Sequence, residues 1–365
     1  MAAPPPKDAP STKGQEVSDD IIARFPQVAG HPVAMAMLAE VLLVKGKAAE
    51  AYALACAAVD LAPQDMQVRD LVRFAISASV PQWHVPMLND EARNTCYSQA
   101  LERAVRPGMQ VLEIGSGAGL LALIAARAGA RVFTCEINPV VAAAAARVAA
   151  RNGLADRITI IPKSSRDLQI GLDLPGPSDL LVSELFDDTL FGENILASLE
   201  DARRLLKPGA AVVPRFSELR CALVEHPLAA LQRPVACVAG FDLSAINLLA
   251  PARKLRVSRK SATLRSDPVS VLAMDYESKP FGPVKERVRL ISRGGRVDGF
   301  AQWMRIDFGG GILFENSPFE QSDSHWASPL YPFVEPIDTA EGEAVEMQAQ
   351  LSRERLTLSL VPGRG

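Results

Sequence analysis

The chain has 365 residues, 48% of them apolar and 22% charged, which is the composition of a globular protein long enough for two or three domains. Its net charge of −3 gives no general electrostatic attraction to nucleic acid or to an anionic membrane, so neither is an expected partner. No apolar run reaches the roughly 18 residues that span a bilayer, and the chain does not begin with the apolar core of a signal peptide.

The cysteines are scattered without the Cys-x-x-Cys spacing of zinc sites, and they suggest no disulfide framework. We expect reduced thiols, no metal site and a soluble protein of the cytoplasm. The cysteines are Cys56, Cys96, Cys135, Cys221 and Cys237.

The amino-terminal part of the chain contains two kinds of sequence pattern. Residues 1–16 are rich in small, polar and proline residues, and we expect a disordered tail. Residues 17–80 have a helical pattern, in which small and turn residues match one tetratricopeptide (TPR) repeat of roughly 34 residues. The matching residues are Leu38, Ala39, Gly46, Ala51, Ala58 and Pro63. One repeat cannot bury its own face, so it should pack on helices near 18–29 and 66–79 or on the next domain. The alternative is an alanine-rich helical hairpin of no particular family.

A glycine-rich turn follows the first apolar strand of the next region, Val111 to Ile114. Alternating glycines allow a tight turn in which a ligand lies against backbone N–H groups at the start of a helix. About 20 residues later a second short strand ends at Glu136, the position at which nucleoside-binding folds place a carboxylate for ribose hydroxyls. The combination predicts a site for an adenosyl cofactor. The glycines are Gly115, Gly117 and Gly119.

The spacing of these glycines distinguishes between cofactors. Dinucleotide folds use G-x-G-x-x-G, whereas the third glycine here comes one residue early and Glu113 lies just before the turn. A carboxylate at that place repels phosphate and suits a cationic ligand with an amino group, such as S-adenosylmethionine. The pattern resembles the fingerprint of class I methyltransferases, so we predict a Rossmann-like α/β domain over residues 81–214 rather than a nicotinamide dehydrogenase.

The segment after Glu136 continues this fold. Asn138 is predicted to cap an alanine-rich helix that Gly153 ends. Ile158 to Ile161 is a short strand, and Ser165 follows it at the edge of the sheet where adenine lies in such folds. Proteins with this fingerprint often carry an acid where this chain has Ser165.

A buried strand, Asp179 to Ser183, leads into a loop that contains two glutamates nine positions apart, Glu184 and Glu193. Leu190, Phe191 and Gly192 stand between them. We expect the other two acids of this loop, Asp187 and Asp188, to be solvated.

Beyond residue 214 the sequence pattern changes to that of short alternating strands separated by glycine and proline turns. This pattern is typical of a β-barrel or sandwich, which we predict over residues 215–365. The predicted strands are Leu255 and Val257, Val269 and Val271, Val288 and Leu290, Trp303 to Phe308, Val345 to Leu351, and Leu356 to Leu360.

Four separated segments resemble protein arginine N-methyltransferases, most closely the branch that carries TPR repeats before the catalytic core. They are the stretch 81–97, the glycine turn, the loop with two glutamates, and Asp-Ser-His-Trp at 323–326, where Ser replaces the family's Thr. The resemblance covers about residues 81–365. It implies a class I methyltransferase domain followed by a β-barrel, with an arm near 232–255 that joins two protomers. The alternative is a monomer whose barrel packs on the amino-terminal helices.

The resemblance also implies roles for individual residues. Arg93 pairs with the methionine carboxylate of the cofactor, Asp90 orients His325, and Trp326 lies at the substrate. The cofactor-binding residues are then His84, Met87, Arg93, Glu113, Gly115, Gly117, Gly119, Glu136 and Ser165, and the catalytic residues are Glu184, Glu193, His325 and Asp90. The implied function is transfer of a methyl group from S-adenosylmethionine to arginine in a protein or peptide.

Two other functions remain open at this stage. One is methylation of another acceptor, such as a small amine or a ribosomal protein side chain. The other is a catalytically idle scaffold whose TPR-like segment binds a protein partner. The intact glycine turn, with Glu136, Glu184 and Glu193, argues against an idle enzyme.

Overall fold

The computed structural model describes residues 13–77, 80–229, 234–249, 255–258, 260–278, 281–320, 324–352 and 355–361. The chain forms two units, each assembled from separate stretches. The first unit consists of Met1–Asn89, Tyr97–Glu184 and Asp201–Val213, and the second consists of Asp90–Cys96, Leu185–Glu200 and Pro214–Gly365. The predicted domains were contiguous in sequence, so the assignment of residues 90–96 and 185–200 to the second unit is a correction. Long-range hydrogen bonds explain this assignment, because Asp90 and Asp188 both bond to the segment that begins at Ser324.

Among the described residues, helices alternate with strands in the middle of the chain. They are α1 Lys13–Arg24, α2 Pro32–Val44, α3 Ala48–Leu61, α4 Met66–Ser77, α5 His84–Leu88, α6 Glu91–Ala104, α7 Leu120–Arg127, α8 Pro139–Arg151 and α9 Ile195–Ala202.

The amino-terminal helices α1 to α4 share one apolar core, in which Ile21 and Leu54 are fully buried. Small residues such as Ala51 and Ala58 let α2 and α3 approach closely. Helix α1 begins at Lys13, so the prediction of a tail up to residue 16 was too long; residues 1–12 lie outside the described part. Glu16 in the first turn interacts favourably with the helix dipole and supports this earlier start.

This helical segment packs on α8 through α3. At the contact Arg147 of α8 donates a hydrogen bond to Asp60 of α3 at 2.5 Å. The sequence predicted packing either on flanking helices or on the following domain, and the segment does both, whereas its TPR identity stays a prediction.

The first unit contains a parallel sheet with the strand order β3-β2-β1-β4-β5. The strands are β1 Gln110–Ile114, β2 Arg131–Cys135, β3 Ile158–Ile161, β4 Ser178–Ser183 and β5 Leu206–Val213. All four pairings are parallel, and Ile114 is in register with both Cys135 and Ser183. The order reverses at β1, and ligands of such sheets bind at the carboxyl edge beside this reversal.

Helix α8 starts as the sequence predicts. The side chain of Asn138 accepts hydrogen bonds from the N–H groups of Val140 and Val141, which would otherwise have no helical partner. Pro139 occupies the first turn, where a missing N–H costs nothing, and Gly153 takes a left-handed φ of 68° after the last turn.

The second unit contains an eight-stranded antiparallel sheet with a central path β10-β6-β12-β14-β15. Strands β11, β13 and β9 pair with β6, β12 and β14. The strands are β6 Phe216–Glu225, β9 Leu255–Arg256, β10 Thr263–Leu264, β11 Val269–Asp275, β12 Val284–Asp307, β13 Leu313–Glu315, β14 Pro329–Ser352 and β15 Arg355–Leu360. The sheet matches the predicted strand-rich region, and its closure into a barrel stays a prediction.

Strands β12 and β14 are 24 residues each, longer than the sequence suggested, and they bend at two register shifts, one of them between Val297 and Gly299. A Cβ on Gly299 would lie 2.3 Å from the carbonyl oxygen of Tyr331, so this bend needs glycine.

The predicted arm near 232–255 is described in its central part, while residues 230–233 and 250–254 lie outside the described residues. Strands β7 Cys237–Val238 and β8 Phe241–Asp242 form a hairpin, and a 3-10 helix follows at Ser244–Leu248. Over the described part of the chain, no helix is long and apolar enough to cross a membrane.

Candidate active site

In the first unit, four predicted site residues follow strands at one edge of the parallel sheet. Gly115 follows β1, Glu136 follows β2, and Glu184 follows β4, at the level that the register of the strands fixes. Ser165 lies four residues beyond the end of β3. The carboxyl ends of parallel strands share one edge, so the sheet itself places these residues together.

The glycine turn needs its glycines for backbone geometry. Gly115, Gly117 and Gly119 have φ values of 82°, 49° and 86°, in the left-handed region that side chains with a Cβ rarely adopt. Below the turn, the hydroxyl groups of Ser116 and Thr134 are hydrogen-bonded at 2.7 Å and hold β1 against β2.

Glu136 is held by the backbone on both sides. One carboxylate oxygen accepts from the N–H of Gly117 at 3.1 Å, and the other accepts from the N–H of Asn138 at 2.9 Å. A carboxylate has about four acceptor positions, so Glu136 keeps acceptor capacity for a pair of hydroxyl groups. Glu113, just before the turn, is buried, with 1% of its surface exposed.

Helix α5 brings His84 and Met87 to the glycine turn. A Cβ built on Gly117 would lie 3.8 Å from the imidazole of His84 and 3.9 Å from the terminal methyl of Met87. Burial lowers the pKa of His84, and its Nδ1 atom is buried without a hydrogen-bond partner among the described residues. A buried acceptor without a partner is a place for a ligand donor. These groups therefore fit an adenosyl ligand, with a hydroxyl-binding carboxylate on one side and an imidazole on the other.

Ser165 is buried in a short 3-10 turn, Ser165–Asp167, and sequence reasoning missed the residue that holds this turn. The guanidinium of Arg204 donates to the carbonyl oxygens of Ser165 and Arg166 at 3.2 and 2.9 Å, and to that of Leu168 at 2.6 Å. Arg204 is nearly 40 positions away in sequence, and no local pattern indicates such a bond.

In the second unit, Asp90 organises two segments that are more than 230 residues apart. One oxygen of Asp90 accepts from the N–H of Arg93 at 3.0 Å and so caps the start of α6. The other accepts from the hydroxyl of Ser324 at 2.9 Å, the N–H of His325 at 3.0 Å and Nδ1 of His325 at 2.9 Å. The structure thus joins Asp90 to His325, as the resemblance implied; Asp323 of the same segment lies outside the described residues.

These donors determine the ionisation of Asp90. Burial alone would raise the pKa of this carboxyl group, but the hydrogen bonds from His325, Arg93 and Ser324 outweigh burial and lower the pKa to about 2. Asp90 is therefore a carboxylate at neutral pH, so Nδ1 of a neutral His325 carries the proton that it donates. Nε2 of that tautomer is then the basic nitrogen.

Arg93 and Trp326 are buried beside this pair, with 2% and 4% of their surfaces exposed. On sequence alone Arg93 has the pattern of a surface residue of a helix. The indole N–H of Trp326 donates to the carbonyl oxygen of Phe186 at 2.9 Å, and its ring lies 4.3 Å from that of His325, centroid to centroid.

The loop after β4 departs from expectation. Asp187 and Asp188 were expected to be solvated, but both accept hydrogen bonds from backbone N–H groups. Leu190 and Glu193 have left-handed φ values of 72° and 56°, a conformation that costs about 1–3 kcal/mol for each residue with a Cβ. Glu193 is exposed and Glu184 is half-buried.

No group of three or more metal-binding side chains occurs in the described ranges.

Acid should destabilise the protein through Asp90. The folded-state pKa of about 2 lies below the ordinary value of 3.8, so the carboxylate stabilises the fold above pH 4 and this contribution is lost as pH falls through 2. The contribution should be about 2 kcal/mol at pH 7 and roughly half of that at pH 3. Urea unfolding of the wild type and of Asp90→Asn at both values measures it, with the exposed Asp156→Asn as control. A stability difference between wild type and Asp90→Asn that is the same at both pH values would contradict this expectation.

Comparison with known proteins gives the family. Residues 111–209, which include the glycine turn and Glu184, match a model described as a methyltransferase domain. The chain is 37% identical over 328 residues to an arginine N(omega)-methyltransferase of Streptomyces achromogenes subsp. streptozoticus, covering 87% of this chain and 90% of that protein. It is 31% identical over 273 residues to protein arginine N-methyltransferase 7 of Drosophila yakuba, but spans only 38% of that longer protein.

Solved structures agree in fold. The PRMT1 enzyme-prozyme heterotetrameric complex of Trypanosoma brucei with AdoHcy has a TM-score of 0.67 at 23% identity, covering 78% of this chain and 93% of that one. Protein arginine methyltransferase 10 of Arabidopsis thaliana has a TM-score of 0.64 at 20% identity, covering 78% and 97%. With the sequence relatives, this shows that the chain belongs to the protein arginine N-methyltransferase family, whose members are class I S-adenosylmethionine-dependent methyltransferases.

Proposed function

We propose that this arginine N-methyltransferase acts on arginine side chains of a protein or peptide, and that Glu184 and Glu193 bind the guanidinium. The observation that carries the proposal is this pair of carboxylates, one directly after β4 and one exposed on the following loop. A guanidinium is a planar cation with five N–H donors and a pKa above about 12. Carboxylates recognise it through paired, charge-assisted hydrogen bonds.

We assign the cofactor to the carboxyl edge of the parallel sheet. When bound, S-adenosylmethionine supplies an electrophilic methyl group on a sulfonium centre. The free acceptor positions of Glu136 suit the ribose hydroxyls, and the buried Nδ1 of His84 and the side chain of Met87 line the same turn. Glu113 suits the cationic character of the ligand, and Arg93 its carboxylate. The turn that begins at Ser165 suits adenine.

The two glutamates have two tasks in this mechanism. They hold the planar guanidinium in one orientation, which makes methyl transfer effectively intramolecular and can remove several kcal/mol from the barrier. They also polarise the guanidinium, so that electron density increases on the nitrogen that attacks. Two carboxylates that bind one acceptor would repel each other in its absence, and the cationic acceptor itself offsets this repulsion.

We assign proton removal to His325. The carboxylate of Asp90 accepts a hydrogen bond from Nδ1–H of His325 at 2.9 Å, which fixes the tautomer and leaves Nε2 as the base. Proton loss can follow the attack, because methyl transfer to a nitrogen of the cationic guanidinium leaves a doubly charged product. That product is a stronger acid than imidazolium, so Nε2 of His325 can take its proton and leave the singly charged methylguanidinium. The ring of Trp326 is tilted by 37° against that of His325, and we propose that Trp326 contacts the acceptor.

Replacement of either glutamate tests the proposal. Glu184→Gln keeps the size of the side chain but loses its charge, so turnover should fall at least about a hundredfold, roughly 2.7 kcal/mol, while cofactor affinity is kept. Methyl-labelled cofactor and an arginine peptide measure turnover, and calorimetry measures cofactor binding. Glu200→Gln, an exposed carboxylate on α9, is the control. Near-normal turnover by Glu184→Gln or by Glu193→Gln would reject the two-glutamate mechanism.

Free arginine is a second candidate acceptor. The observation that favours it is that the relative matched over 90% of its length is named for arginine, not for protein arginine. Parallel reactions with labelled cofactor and either free L-arginine or an arginine peptide, followed by amino-acid analysis, should give labelled methylarginine from the peptide. Labelled product from free arginine alone would replace the protein acceptor with the small one. Labelled product from neither would contradict both.

We further propose a homodimer that forms through the arm. Exposed apolar side chains favour an interface, and the described part of the arm contains several of them. They are Val238, Phe241, Ile246, Leu248 and Leu249, with 50%, 71%, 50%, 92% and 78% of their surfaces exposed.

Sedimentation at micromolar concentration should give a dimer for the wild type and a monomer for Leu248→Asp. Val334→Asp, an exposed apolar position on β14, is the control and should stay dimeric. A wild-type monomer with full activity would contradict the dimer.

Two further expectations belong to the same proposal. The exposed side chains Met37, Val41 and Val44 on α2 support a role of the helical segment in binding a protein partner. The free state of all five cysteines supports a location in the cytoplasm.

A further inference from the structure

The loop between Glu184 and Glu193 contains a hydrogen-bonded clasp centred on Asp187. Its Oδ1 atom accepts from the N–H of Thr189 at 2.8 Å, from the hydroxyl of Thr189 at 2.6 Å, and from the N–H of Gly192 at 3.1 Å. The carbonyl oxygen of Asp187 also accepts from the N–H of Leu190 at 2.9 Å. A single residue thus bonds to both ends of the turn that precedes Glu193.

Gly192 shows how closely this carboxylate approaches the backbone. A Cβ on Gly192 would lie 2.4 to 2.8 Å from the three carboxyl atoms of Asp187, well inside contact distance. Gly192 is not among the residues with positive φ, so the requirement for glycine is one of space. The carboxylate occupies the volume that any other side chain would take.

The clasp holds a conformation that the sequence does not favour by itself. Leu190, Glu193 and Asn194 all have positive φ, at 72°, 56° and 60°. Leu190 and Phe191 are fully buried and fix the middle of the loop. Glu193 is exposed and comes directly after Gly192, so the bond from Gly192 to Asp187 is the last fixed point before its backbone.

The neighbouring Asp188 anchors the start of the same loop. Its carboxylate accepts from the N–H of Ala327 at 2.7 Å, and its carbonyl oxygen accepts from the side-chain amide of Gln302 at 2.8 Å. The oxygen of that amide accepts in turn from the hydroxyl of Tyr331 at 2.8 Å. These bonds fix the base of the loop separately from the turn that Asp187 closes.

We propose that Asp187 is a positioning residue that sets the backbone conformation of Glu193 through Gly192, and so aims the Glu193 carboxylate at the acceptor guanidinium. This inference rests on the proposed function, because it assigns Asp187 an effect only if Glu193 binds the acceptor. Carboxylates that bind a guanidinium in two-point geometry depend on orientation, and a displacement of about 1 Å can reduce turnover roughly a hundredfold.

Three variants test the clasp. Asp187→Ala removes the carboxylate that accepts these hydrogen bonds, and Gly192→Ala displaces that carboxylate while Asp187 is still present. Both variants should raise KM for an arginine peptide and lower kcat, so that kcat/KM falls by roughly tenfold to a hundredfold. Asp187→Asn keeps an oxygen in place of Oδ1 and should stay within about threefold of the wild type. Cofactor affinity should be unchanged in all three. Glu200→Ala is the matched control for loss of a carboxylate.

A double-variant cycle separates this inference from the proposed function. If Asp187 acts through Glu193, then Asp187→Ala should change peptide affinity by less than about twofold in a Glu193→Gln background, because the group that it positions has lost its charge. Equal effects of Asp187→Ala in both backgrounds, or normal kinetics of Asp187→Ala beside an inactive Glu193→Gln, would overturn the inference alone. Normal kinetics of Glu193→Gln would overturn the proposed function.

Discussion

A carboxylate removed from water must find hydrogen-bond donors, and Asp90 finds them in two segments far apart in sequence. One oxygen caps α6 and the other bonds to Ser324 and His325. The same bonds that satisfy the buried charge also hold the imidazole, so the stability of the fold and the proposed role of His325 depend on one group. Without Asp90 the loop of Trp326 would lose its link to α6, and His325 would lose the partner that selects its tautomer.

In the first unit, too, single side chains bond to several backbone groups. Glu136 accepts from the N–H groups of Gly117 and Asn138, and Asn138 caps the next helix. The shape of the glycine turn and the start of α8 therefore depend on three adjacent hydrogen bonds, and so does the position of Glu136, the proposed partner of the ribose. Since α8 also carries Arg147, which bonds to Asp60 of α3, this helix connects the amino-terminal helices to the same arrangement.

Much of this could be predicted from the sequence, because the relevant contacts are local. The strand, the alternating glycines, Glu136 and the Asn138 cap all lie within about 30 residues, and each follows from backbone rules. The prediction that Asp187 and Asp188 are solvated was wrong. Acids in a loop are usually solvated, and only the fold shows that Gly192 lets a carboxylate approach the backbone so closely.

The long-range bonds could not be predicted in this way. Arg204 with Ser165, Gln302 with Asp188, and Asp90 with Ser324 join residues between about 40 and 230 positions apart, and no periodicity encodes such pairs. The predicted linear domains failed for the same cause. A boundary read from composition assumes that each domain is one stretch of chain, which long-range bonding does not require.

The passage of the chain between the two units has a consequence for protein engineering. The chain changes unit after residues 89, 96, 184, 200 and 213, so neither unit can be exchanged by recombination at a single junction. A chimaera made at residue 214 would combine Asp90 and Glu193 of one parent with His325 of the other. If the proposed function is right, acceptor preference should be transplanted with the whole region from α5 onwards, or by exchanging several short segments together.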